Sequence, residues 1–256
     1  MTSITLNKVD MILPTGAKHM PTAQNRTEIG VAGRFALDPV SQRPGILALK
    51  NVSIELNEGD TLGIVGSNGA GKSTLLRLMA GIYSPTRGVV RTEGNISTMF
   101  NIGLGMQLDA SGMQNIMLSG IIAGHSRKQI EKVLPDIIDF TELGDFLHLP
   151  VRTYSQGMAM RLKFACATAF SPEILLLDEW IGAGDAEFQA KAQDRMKELL
   201  SDAGIVVLAT HNEKLMKSTA NRAIWLERGT VMMQGEAEAV IEARAKYRRQ
   251  VAAAVN

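Results

Sequence analysis

A chain of 256 residues is long enough to bury one substantial core, and its 45% hydrophobic and 21% charged residues are ordinary for a globular protein. A formal net charge of +1 argues against a broad basic field for nucleic acid, and a single cysteine, Cys166, excludes an internal disulfide. No apolar run reaches the ~18 residues of a membrane-spanning helix, and the N-terminus lacks the basic start and long apolar core of a secretory signal.

These features imply an intracellular protein without direct membrane insertion, which must dock onto another chain if it serves a membrane process. Cys166 lies in an apolar helical stretch, the setting of a buried structural thiol.

Residues 3–9 and 48–56 alternate in the manner of half-buried strands. Residues 14–45 between them mix Pro, Gly, Thr and charge without periodicity and read as a loop insertion. A short apolar strand, TLGIV, then leads through a Gly-rich turn into a helix, STLLRLMAG, and on to strands GVVRTEG and NISTMF. Residues 110–165 are helical in pattern; Ser126 caps one helix, and Pro135 should kink or interrupt it. From Glu173 strands and helices alternate again, through EILLL, GIVVLAT, AIWLE and TVMMQG, to a terminal helix and a basic tail. Short apolar strands separated by helices indicate an α/β core with a mainly parallel sheet, with the helical block as an inserted lobe.

Gly66-Ser67-Asn68-Gly69-Ala70-Gly71-Lys72-Ser73 matches the phosphate-loop pattern G-x-x-x-x-G-K-[ST], with a strand before it and a helix after it. The glycines let phosphates approach the backbone, and successive amides at a helix N-terminus face the anion. Lys72 is assigned to the β- and γ-phosphates and the Ser73 hydroxyl to Mg²⁺, with Thr74 completing the nucleotide-binding set. Leu175-Leu176-Leu177-Asp178-Glu179 is an apolar strand ending in two acids. Ligands gather beyond the carboxyl ends of parallel strands, so Asp178 suits Mg²⁺ and Glu179 suits polarising the attacking water.

Tyr154-Ser155-Gln156-Gly157-Met158 stands about twenty residues before those acids. It resembles the signature segment of ABC transporter nucleotide-binding subunits, in a variant that keeps the Ser and the second Gly. The resemblance implies an ABC ATPase fold: a P-loop core, an antiparallel β subdomain and a helical lobe, forming a single nucleotide-binding domain over residues 1–256. Residues 1–100 and 166–256 form the core, and about 101–165 the lobe. It further implies that Ser155, Gln156 and Gly157 bind the nucleotide held by a second copy, so that a homodimer sandwiches two ATP molecules. Asp185 matches the loop that contacts the partner, and His211 the switch histidine that senses the γ-phosphate and the water. The family's Mg²⁺-linking glutamine corresponds to Asn101 by position or to Gln107 by side chain. Where an aromatic usually stacks on adenine, this sequence has Ile12 or Leu13.

The variant signature, Gly184 to Gln189 after the acids, and Asn221 to Leu226 together resemble the ATPases of bacterial polysaccharide exporters, in their short capsule-type form. That branch implies a separate polytopic permease as partner, a lipid-linked glycan as cargo handled by the permease, and a peripheral position on the cytoplasmic face of the inner membrane. The alternatives are the ATPase of a drug or lipid exporter and a soluble non-transport ABC ATPase. The one cassette without heptads disfavours the latter, and a non-hydrolysing scaffold is disfavoured by Lys72, Asp178, Glu179 and His211. A GTPase is disfavoured because the Tyr154–Met158 segment has no use there.

Overall fold

A computed structural model describes residues 2–16, 34–100, 102–103, 105–178, 186–210 and 212–255. The chain divides into two compact units: Met1–Gly94 with Leu176–Glu179 and Gly204–Asn256, and Asn95–Leu175 with Trp180–Ala203.

The first unit opens on an antiparallel sheet. Strand β1 (Ser3–Pro14) buries Ile4, Leu6, Val9 and Met11, so its alternation slips by one residue between Leu6 and Val9. A bulge explains the slip: Lys8 takes φ 50°, its N–H donates to Ser53 Oγ at 2.9 Å, and the pairing register shifts there. Strands β2 (Arg34–Leu37), β3 (Pro44–Asn57) and β5 (Arg87–Glu93) complete the order β2-β3-β1-β5. The aperiodic stretch 14–45 is therefore not all loop. Arg34–Leu37 pairs antiparallel with Pro44–Leu47, around a turn in which Asp38 Oδ1 accepts from Val40 N (3.1 Å) and Ser41 N (2.6 Å). Four residues are too few to show a period, which is why the strand is invisible in the sequence.

A second sheet has the order β10-β9-β4-β8-β7-β6, from β4 (Thr61–Gly66), β6 (Ile96–Thr98), β7 (Ile174–Asp178), β8 (Ile205–Ala209), β9 (Arg222–Glu227) and β10 (Thr230–Glu236). Strand β4 runs parallel to both β8 and β9. All five residues of β8 are buried, as expected of a parallel strand covered on both faces. Helices α1 (Lys72–Met79), α6 (Glu213–Thr219) and α7 (Ala237–Val255) belong to the first unit, whereas β6 and the first two residues of β7 are counted with the second. Helix α7 buries Ala237, Val240 and Ile241, one stripe at helical spacing, and continues through the stretch read as a basic tail.

The second unit holds α2 (Gly112–Ile122), α3 (Arg127–Thr141), α4 (Gln156–Ala167) and α5 (Ala186–Asp202). Phe140, Phe164 and Phe188 form its aromatic centre, with ring centroids 5.4, 5.9 and 6.1 Å apart. Because Phe188 lies on α5, that helix packs with α3 and α4, and the unit takes in α5 besides the helical block at 110–165. Ser126 caps α3 in a capping box with Gln129. Pro135 sits inside α3 without ending it. It occupies the exposed face, where a carbonyl that loses its amide partner is solvated instead. Among the described residues no helix is long and apolar enough to cross a membrane.

Candidate nucleotide site

Strand β4 ends at Gly66 and α1 begins at Lys72, so residues 67–71 form the turn between them. The turn is tight: Ala70 N donates to Ser67 O at 3.1 Å, and Gly71 takes φ 107°. A Cβ on Gly66 would lie 2.3 Å from Leu226 O, and one on Gly71 would lie 2.7 Å from Ala48 O. Backbone closes on both glycines, so no side chain fits at either. Helices α2, α3, α4 and α6 each begin on a Ser or Asn whose side chain accepts from the first turn, whereas α1 begins on Gly71 with no side-chain cap. The first-turn amides of α1 are thus available to an external anion, and the helix dipole favours one. Lys72 Nζ donates to Gly66 O (3.1 Å) and Ser67 O (3.0 Å), which lays the ammonium across the mouth of the loop it closes.

The loop is braced from outside by features the sequence reading did not single out. Gly229 N donates to Ala70 O at 2.8 Å, Lys50 N donates to Gly229 O at 2.8 Å, and Ser67 Oγ donates to Glu227 Oε1 at 2.5 Å. Arg228 (φ 45°) and Gly229 (φ 77°) are the two-residue turn of the β9–β10 hairpin, with Glu227 paired to Thr230. The signal was present as a two-residue Arg-Gly link between two strands, although Arg at the first positive-φ position is an unusual choice.

Asp178 is the last residue of β7, half-buried after four buried residues. Strands β7 and β8 are neighbours in the sheet with α5 between them in the chain, the arrangement expected of parallel strands. The carboxyl ends of β4, β8 and β7 therefore share one sheet edge, with Asp178 two strands, about 10 Å, across from the strand that ends at Gly66. A hydroxyl at Ser73 and a carboxylate at Asp178 are hard oxygen donors, the set that suits Mg²⁺.

In the second unit Ser155 caps α4: its side chain accepts from Met158 N at 3.2 Å. Gly157 meets nothing nearer than Ser155 Oγ at 3.9 Å, so a side chain would find room there. Tyr154 Oη donates to Phe146 O at 2.7 Å, and burial raises its phenol above the ordinary value. Arg161 on α4 pairs with Glu142 Oε2 at 3.0 Å and lies over the Phe188 ring at 5.0 Å. Lys191 on α5 bonds the other oxygen of Glu142. These contacts hold Glu142 below the usual carboxylate range, with the Lys191 hydrogen bond as the largest cause.

Gln107 is held by Asn115, which is fully buried and was also missed. Asn115 Oδ1 accepts from Gln107 N at 2.8 Å, while its Nδ2 donates to Gln107 O (2.9 Å), Ala110 O (3.3 Å) and Ser111 O (3.0 Å). The structure thus brings Gly66–Thr74 and Asp178 into one unit and Gln107 with Ser155–Gly157 into the other. Glu179, Asp185, His211 and the rival candidate Asn101 lie outside the described residues.

The ABC transporter family pattern matches residues 49–182, which span the loop, the capped α4 and Asp178. The chain belongs to the ABC transporter family. Over 232 residues it is 45% identical to the O-antigen export system ATP-binding protein RfbE of Yersinia enterocolitica, covering 90% of this chain and 97% of that protein. It is 40% identical over 209 residues to the O-antigen export system ATP-binding protein RfbB of Myxococcus xanthus, covering 82% of this chain and 47% of that one. The teichoic acids export protein TagH of Bacillus anthracis matches at 37% over 195 residues, 76% of this chain but only 35% of its own length. Among solved structures, the dimeric ATP-binding cassette MJ0796 bound to ADP and Pi aligns at TM-score 0.64 and 22% identity, over 91% of this chain and 98% of that one. An ATP-binding subunit of an ABC transporter aligns at TM-score 0.68 and 20% identity, over 94% and 93% of the two chains. These structures share the ABC ATPase fold with this family member.

Proposed function

We propose that this chain is the ATP-binding and hydrolysing subunit of an ABC exporter, and that it powers export of a lipid-linked polysaccharide across the inner membrane. The observation that carries the ATPase reading is the glycine-closed loop ending in an α1 that has no side-chain cap. The cargo class rests on the near full-length similarity to RfbE.

The 256 residues act as one nucleotide-binding domain. Amides of Gly66–Ser73 cradle the triphosphate, Lys72 places its charge against the β- and γ-phosphates, and Thr74 supports the first turn. Glu179 polarises the attacking water and His211 aligns it. Ser73 and Asp178, with Asn101 or Gln107, would hold Mg²⁺, which when bound neutralises charge on the phosphate oxygens. Ser155, Gln156 and Gly157 of the second copy in a homodimer close over the γ-phosphate, and Asp185 contacts that partner. Closure is driven by tighter nucleotide binding to the closed state, and it moves a polytopic permease seated on the helical unit at the cytoplasmic face. Catalysis is mainly positioning and charge stabilisation.

Two measurements test the reading. Purified Glu179→Gln protein is expected to bind ATP and release phosphate at least ~100-fold more slowly than wild type; a normal rate refutes the ATPase assignment. Cells carrying only that variant are expected to accumulate lipid-linked glycan on the inner side of the membrane. Normal surface glycan in that strain refutes the cargo assignment alone.

A further inference from the structure

Adjoining the phosphate loop, with Ser67 and Asn68 of that loop as one wall, lies a cavity of about 410 Å³. Its other walls are Trp225 and Glu227 of β9 and three residues of α7, Arg244, Tyr247 and Arg248. The volume falls within the range of small-ligand sites. The spacing i, i+3, i+4 places the three α7 residues on one helix face.

The lining combines three recognition chemistries. Trp225 and Tyr247 form a tilted aromatic pair with centroids 4.9 Å apart. Trp225 is 7% exposed and Tyr247 43%, so a fixed ring backs a reachable one. Arg244 and Arg248 put two guanidinium groups together; the Arg244 side chain is only 12% exposed, and its ion pair with Glu213 is long, at 3.9 Å. Burial, and then the charge of Arg248, depress Arg244, while the carboxylates of Glu213 and Glu227 act on it in the opposite direction and compensate part of the paired positive charge. Two like charges held this way favour an anion between them. Glu227, the one carboxylate in the lining, accepts the Ser67 hydroxyl. Carboxylates of this kind also accept ring hydroxyls. The Trp225 Nε1–H in the same wall is buried and has no acceptor among the described residues.

We propose that this cavity is a second ligand site, separate from the triphosphate cradle, for a small phosphorylated ring, either a sugar phosphate or a nucleoside phosphate. The phosphate sits between Arg244 and Arg248, the ring lies on Tyr247, and ring hydroxyls meet Glu227 and Asn68. Because Glu227 also holds Ser67, occupancy is sensed by the phosphate loop.

The test is calorimetric titration of full-length Lys72→Ala protein, in which the triphosphate cradle is disabled, with glucose 1-phosphate, UMP and inorganic phosphate. One equivalent of at least one ring phosphate is expected to bind about tenfold more tightly than inorganic phosphate. Binding of glucose 1-phosphate alone identifies a sugar phosphate site, and UMP alone a nucleoside one. Adding Arg248→Gln or Tyr247→Leu, both at exposed positions, is expected to weaken that binding by about tenfold or more while the circular dichroism stays unchanged. The proposal is overturned if neither ring phosphate outbinds inorganic phosphate, or if both α7 variants bind like their parent. Phosphate release by the wild type is measured separately, so failure here leaves the ATPase reading standing.

Discussion

Replacing Gly229 by alanine strikes the phosphate loop from outside it. Gly229 has φ 77°, and a Cβ there would lie 2.5 Å from Ala48 O, 2.9 Å from Ala48 C and 3.2 Å from Leu49 Cα. All three are backbone atoms, so relief requires the hairpin turn to move away from β3. An L-residue in the left-handed region costs about 1–2 kcal/mol. The movement also stretches the two bonds that flank the site, Lys50 N to Gly229 O and Gly229 N to Ala70 O, each 2.8 Å. At about 1 kcal/mol for each, the total is about 3–4 kcal/mol. With a urea slope of about 2–3 kcal/mol/M, the midpoint should fall by about 1–2 M. Since one bond ends on Ala70 in the loop itself, ATP affinity should fall along with stability. Urea unfolding followed by circular dichroism, with nucleotide titration at low denaturant, reads both. A midpoint within ~0.2 M of wild type with unchanged affinity would refute the bracing role of this turn.

Asn115→Ala strips a fully buried side chain from four backbone partners, and should cost about 3–4 kcal/mol by thermal or urea unfolding; a loss under ~1 kcal/mol contradicts that arrangement. Glu142 is held below its unfolded value, so the unfolded chain binds the extra proton, and its contribution is present above about pH 4.5 and lost on acidification. Glu142→Gln should therefore narrow the stability difference from wild type as pH falls below that value; a constant difference from pH 7 to pH 3 argues against the Lys191 and Arg161 pairing. Burial pushes the Cys166 thiol up to about 12, so it should resist a thiol reagent at pH 8 until the chain is unfolded. Rapid stoichiometric labelling of the native protein would show the site to be open.

The phosphate loop was legible because its residues are contiguous and its chemistry is local: three glycines, a lysine and a serine between a strand and a helix. Ser126 and Ser155 were legible for the same reason, since a cap and the amides it satisfies lie within one turn. What escaped depends on contacts made far along the chain. Glu227 and Gly229 matter because β9 lies against β4, and the register pairs Gly66 with Leu226 across 160 positions. Asn115 reads as one polar residue in a helix until the 107–111 backbone folds over it. Pro135 reads as a helix breaker, yet α3 runs through it with Pro135 on the exposed face. Phe188 joins α5 to the helical unit through a ring cluster whose members lie 24 and 48 residues away.

Each hydrolytic pocket, in this account, is built from the phosphate loop of one copy and Ser155–Gly157 of the other. The most direct test mixes two inactive proteins, Lys72→Ala and Ser155→Arg, dissociated and reassembled together. Half of the dimers then carry one of each, and in these one pocket combines the intact loop of one chain with the intact α4 start of its mate. Phosphate release should return to about a quarter of the wild-type rate per chain. A mixture as inactive as its two components would contradict the shared pocket.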